Sequence, residues 1–144
     1  MKAKQFLKQY EYAEKRARHC REQYEKTLEK IDSIRSTLGG DGMPHGSGIN
    51  RQTEDLAIEL NDAANRYVKA EREALRKKTV VENVINSLQP SDRGVVLYER
   101  YINLMQWESI AALMCYSMSN VFRLHYQALQ EVEVVINESY RDLL

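Results

Sequence analysis

Cysteine is nearly absent. Cys20 and Cys115 are the two in 144 residues. They lie far apart, so they define no disulfide framework, and a reducing compartment is expected. Proline occurs twice, at Pro44 and Pro90. Five of the six glycines fall within residues 39–48. Helix-breaking residues are therefore confined to a few places, and aromatic residues make up only 8%; together these favour an all-α chain. An excess of one charge is also missing, with 21 Lys and Arg against 21 Asp and Glu. No global basic field draws the chain onto nucleic acid or anionic lipid. No run of 18 apolar residues occurs, and the opening MKAKQFLKQYEYAEK has no apolar signal region. The expectation is a soluble cytoplasmic protein with no membrane partner.

What is present is enough to fold. The chain is 43% hydrophobic and 29% charged, outside the range of disordered sequences. Residues 2–38 contain neither Gly nor Pro. Ala3, Tyr10, Ala17, Tyr24, Ile31 and Leu38 recur every seven residues, interleaved with Phe6, Ala13, Cys20, Thr27 and Ile34. That 3-4 alternation is the seam of a coiled coil. Residues 52–88 repeat it with Thr53, Leu60, Tyr67, Ala74, Val81 and Leu88, and with Leu56, Ala63, Ala70, Lys77 and Val84. Lys77 is the one charged member. Between the two segments lies GGDGMPHGSGINR, residues 39–51, a loop by composition. The spacing predicts a long antiparallel helical hairpin over residues 1–89, paired in cis or with a second subunit.

Pro90 follows Gln89, and Ser91 or Asp92 is placed to cap a new helix. A domain boundary is expected there. Three helices follow in the pattern, over about 92–102, 107–114 and 118–141. The stretch WESIAALMCYSMSNVFRL, residues 107–124, has the residue types of a helix-turn-helix. Ala111 is small where two helices must cross closely. Trp107, Ile110, Leu113 and Met114 are available to bury the first helix. Cys115 sits where a left-handed turn residue is usually Gly, at a cost of about 1 kcal/mol. Tyr116 points inward, Ser117 caps the second helix, and Val121 and Leu124 face the core. Ser119, Asn120, Arg123 and Gln127 then remain on the outer face. The competing reading is a plain pair of bundle helices joined by a tight turn.

Residues 91–129 resemble the promoter-reading region 4 of bacterial sigma factors. The matching elements are Val96-Leu97 with Arg100-Tyr101-Ile102, then Trp107-Glu108 with Ile110-Ala111, then Tyr116-Ser117 with Val121, Arg123 and Leu124, then Ala128-Leu129. The pattern is similar to ArpU-type and RinA-type late transcription regulators of phages and prophages of Gram-positive bacteria. In those, a sigma-like helix-turn-helix follows a helical region, and residues 41–48 resemble their Gly-rich loop. The resemblance implies a DNA-binding transcription regulator whose partners are double-stranded promoter DNA and, in addition, RNA polymerase. Carried over by position, Met118, Ser119, Asn120, Phe122 and Arg123 occupy the groove-facing turns after Ser117. Asn pairs with adenine, Arg with guanine, and Met118 or Phe122 with a thymine methyl. Arg93 and Arg100 lie on the supporting helix. They and the run Arg76-Lys77-Lys78 are the candidates for phosphate contact.

Charge opposes this reading. From residue 90 onward there are four basic and seven acidic residues, whereas DNA affinity comes largely from neutralised phosphates. A homodimer or higher oligomer through the hairpin, or help from polymerase, is therefore expected. Two alternatives stand beside regulation: a small terminase-like DNA-packaging subunit, and a protein–protein scaffold whose helix-turn-helix does not bind DNA. Nothing points to an enzyme, a metal or a cofactor. His19, His45 and His125 sit on separate elements without ligand spacing, and the glycines of 39–48 follow a helix and precede no Lys-Ser/Thr.

Overall fold

A computed structural model describes residues 2–38, 47–88 and 90–142. Among them are six helices and no strand: α1 (Ala3–Leu7), α2 (Gln9–Leu38), α3 (Ser47–Asn86), α4 (Asp92–Tyr101), α5 (Trp107–Met114) and α6 (Met118–Asp142). The all-α class and the hairpin-plus-three-helix order follow the sequence pattern. Two boundaries differ. Residues 39–46 of the Gly-rich loop, His45 included, lie outside the described residues. Residues 47–51, expected in that loop, form the first turn of α3. The helix expected over 2–38 is divided at Lys8. There the backbone stays near helical values (φ −76°, ψ −7°), and Lys8 N–H still donates to Lys4 O while Tyr12 N–H donates to Lys8 O.

The chain forms two compact units, residues 14–73 and residues 1–13 with 74–144. In the first, α2 and α3 pair in cis. Tyr24 meets Tyr67 with ring centroids 5.9 Å apart, and Lys30 Nζ lies 3.6 Å from Glu59 Oε1. Moving forward along α2 moves backward along α3, so the pairing is antiparallel. Ala17, Thr27, Ala63 and Ala70 are buried in it. Small side chains allow close helix approach but remove little apolar surface from water, at about 25 cal/mol per Å². The Thr27 hydroxyl is satisfied by the Gln23 carbonyl one turn back, at 3.0 Å. Toward the loop end, Leu28, Ile31, Ile34, Leu56 and Leu60 line an open groove of about 280 Å³. Thr53, placed in the seam by its spacing, is exposed.

The second unit is where the larger side chains gather. Ala3 and Leu7 of α1, Val81 and Ile85 of α3, Leu97 and Tyr101 of α4 with Ile102 just beyond it, and Ala128, Val132 and Ile136 of α6 make one core. Residues 1–13 and 74–89, read from sequence as hairpin, thus share a core with the residues that follow position 90. Ser91 is the cap of α4: Gly94 N–H donates to its Oγ at 3.1 Å, and that hydroxyl donates to Leu88 O at 2.7 Å, tying the end of the α3 segment to the start of α4. Lys77, the charged seam residue, is only half-buried and donates from Nζ to Gln9 Oε1 at 2.9 Å. A charged head thereby reaches a polar partner while its stem packs.

Ile85 has no exposed surface, and no heptad seam placed it in the core. Ile85→Ala is expected to cost about 3 kcal/mol through lost burial and the cavity left behind. Thr53→Ala should change stability by less than about 0.5 kcal/mol. Urea unfolding of both variants checks the contrast.

Candidate nucleic-acid interface

α5 ends in a turn built without glycine. Cys115 adopts the left-handed conformation (φ 57°, ψ 38°). Tyr116 N–H donates to Ala111 O at 3.0 Å and Cys115 N–H to Ala112 O at 3.3 Å, the paired bonds of a Schellman motif. The turn therefore closes α5 as a Gly would, at a steric cost to the cysteine. Ser117 then caps α6: Asn120 N–H donates to its Oγ at 3.1 Å, and Val121 N–H to its carbonyl at 3.0 Å. Ile110 and Ala111 of α5 bury against Val121 and Leu124 of α6 and Val96 of α4, with Met105, Trp107, Met114, Tyr116 and Met118 around them. Tyr116 Oη donates to Asp92 Oδ2 at 2.6 Å. That bond raises the phenol's pKa above its ordinary value and ties the turn to the start of α4.

Trp107 is the centre of a second network. The Arg100 guanidinium carbon lies 4.6 Å from its ring centroid, and Arg100 Nη1 donates to Met105 O at 2.9 Å. This holds the connection after α4, where Leu104 takes a positive φ of 55°. Phe122 and His125 of α6 meet Trp107 edge-on at 5.2 and 4.7 Å. His125 Nε2 is 2.8 Å from Tyr101 Oη. Burial, then Lys4 and Arg100 nearby, lower the His125 pKa to about 4. Burial raises the Tyr101 phenol to about 12. At neutral pH both are uncharged, and one hydrogen bond joins them.

These contacts sort the candidate residues. Ser119 and Arg123 are exposed on α6. Asn120 and Gln127, seven apart, are half-buried on one margin of that face. Phe122 is 45% exposed at the other margin. Met118 packs against the small core, and Ser117 serves as the cap. Tyr126, which sequence reasoning passed over, is 64% exposed. It lies three residues beyond Arg123 and seven beyond Ser119, a spacing that puts it at the middle of the outward face. Among the candidate phosphate contacts, Arg100 is engaged with Met105 and Trp107. Arg93 Nε lies 2.7 Å from Glu131 Oε1, out of line for a hydrogen bond, so that contact is chiefly Coulombic. Lys77 holds Gln9, Lys78 is half-buried and Arg76 is exposed.

Among the described residues, no group of three or more His, Cys, Asp or Glu side chains is placed to hold a metal ion. None of the described helices is long and apolar enough to cross a membrane. Cys20 and Cys115 are free thiols.

The described residues are all-α, with a capped turn joining α5 to α6. Residues 42–133 match DUF1492, a protein of unknown function, and the chain belongs to that family. The matched span takes in all of α3 together with α4, α5 and the first part of α6. No curated protein and no solved structure matches the chain.

Two outcomes follow from the turn and the histidine. Cys115→Gly should raise stability by about 1 kcal/mol, since glycine meets no steric penalty at positive φ; chemical unfolding measures it. His125 binds protons more weakly folded than unfolded. Its contribution is therefore whole above pH 6.5 and is lost as pH falls from there through about 4. Melting temperatures between pH 7 and 4.5 should fall less steeply in His125→Gln than in the unaltered chain.

Proposed function

We propose that this protein is a DNA-binding transcription regulator of the phage and prophage type, similar in its C-terminal third to sigma factor region 4 and to ArpU-type and RinA-type regulators. It reads promoter DNA through α6, with RNA polymerase as a second partner. The observation that carries the reading is the division of α6 into two faces. Val121, Leu124, Ala128 and Val132 bury one face. Ser119, Asn120, Phe122, Arg123 and Tyr126 occupy the other, directly after a capped turn. Polar groups that pair with base edges, beside aromatic rings that contact thymine methyls, are what a major-groove helix requires.

The charge objection weakens when the compact unit is counted instead of the C-terminal third. Residues 1–13 and 74–144 hold ten Lys and Arg and nine Asp and Glu. Lys2, Lys4 and Lys8 and the run Arg76-Lys77-Lys78 make up the difference. The balance is still not strongly basic, so phosphate contacts from a second copy are part of the proposal. The open apolar groove and exposed Ile58 on the hairpin support self-association there.

The test is binding of the full chain to DNA of its own genomic neighbourhood over a salt series, with and without RNA polymerase. Specific binding should weaken as salt rises, with a log–log slope that counts the neutralised phosphates. Arg123→Ala should weaken it about tenfold or more. An absence of binding at low salt under both conditions would sink the proposal and favour a protein–protein scaffold.

A further inference from the structure

Asn120 and Arg123 are not two independent groups on α6. Arg123 Nη2 donates to Asn120 Oδ1 at 2.6 Å. A guanidinium offers only donors, so it must face the oxygen of the amide, and the contact sets which way the amide points. The Asn120 backbone is held as well, because its N–H donates to the Ser117 cap at 3.1 Å. With Oδ1 engaged, Asn120 presents outward the two N–H bonds of Nδ2. Arg123 keeps its remaining N–H bonds. The pair therefore offers a groove an edge made of donors.

Base edges in the major groove differ in what they can accept. Guanine shows two acceptors, N7 and O6, and thymine shows O4. Cytosine shows an amino donor. Adenine pairs with asparagine in two bonds only if the amide oxygen accepts from its N6 amino group. Here that oxygen already holds a guanidinium, and an incoming amino group would meet a cationic donor beside it. The chemistry that fits is a keto edge next to a keto edge. Resting on the DNA-reading role of α6, we propose that Asn120 and Arg123 act as one reading unit for a keto dinucleotide step. Guanine lies under Arg123, and guanine or thymine, instead of adenine, lies under Asn120.

Coupling of this kind has a measurable signature. In a double-mutant cycle, independent readers give additive losses, whereas a joined pair does not. The full chain is used to select from random-sequence duplexes, and the selected site is then bound by Asn120→Ala, Arg123→Ala, the double variant and Asn120→Asp. The wild-type chain should enrich guanine followed or preceded by a keto base. Each alanine variant should bind that site about tenfold more weakly or worse, and the double variant little worse than either. Asn120→Asp keeps an acceptor for Arg123 but has no donors, so it should retain the guanine and lose the keto preference beside it. Enrichment of adenine at the position set by Asn120, with additive losses, would overturn the paired reading and leave DNA binding standing. So would a selected site indifferent to both residues. Enrichment of no sequence by the wild-type chain would overturn the DNA-reading role itself. Matching thermal unfolding of all variants separates a lost contact from a lost fold.

Discussion

Burial of Leu7, Val81 and Ile85 against Leu97, Val132 and Ile136 is the interaction on which the helix-turn-helix depends. The short α5 and the first turns of α6 have little apolar surface of their own. α5 spans only Trp107–Met114, and its small core holds five buried residues. α6 is stable because its inner face extends past that core and continues onto α1, α4 and the end of α3. The outward face can then be given to Ser119, Phe122, Arg123 and Tyr126 without loss of the fold. The proposed recognition chemistry and the stabilising core occupy opposite sides of one helix.

Much of this was legible in the sequence, because the hairpin repeats with a period that only paired helices need. Ala17, Thr27, Ala63, Ala70 and Ala74 are buried where the heptads put them. Leu7 and Ile85 were not legible. Each lies outside both seams, and its burial comes from helices distant in sequence, which periodicity within one helix does not encode. The 47–51 segment was misread for the opposite reason. Its Gly48 and Ser47 are local breakers, and the composition of a loop obscured where α3 begins. In the candidate interface, Cys115 and Ser117 were read correctly as turn and cap because each role has a narrow residue preference. Tyr126 was missed because a tyrosine suits a core as well as a surface, and only the packing of Leu124 and Ala128 decides which. The pairing of Asn120 with Arg123 was missed because side chains three apart on a helix were treated as separate groups.

The network around Trp107 joins both parts. Arg100 has its guanidinium against the indole and a bond to the Met105 carbonyl, so its charge also braces the connection between α4 and α5. His125, which also meets Trp107, is neutral through burial and through the cations near it. Neither residue need touch a ligand to matter. Arg100 holds Trp107 and the connection before α5, and His125 ties α6 to Trp107 and Tyr101.

The packing of α1 on α6 has a consequence for how the molecule is made. Ala3 and Leu7 bury against α6, a helix far along the chain from them. The paired helices α2 and α3 can form while synthesis continues, since their contacts need only the chain already made. The core of the second unit cannot close until α6 has emerged, and long-range contacts of this kind are slow to form. A chain made only as far as the hairpin therefore leaves the apolar face of α1 uncovered, and the outer face of α6 gains its fixed geometry only when α1 and α6 meet.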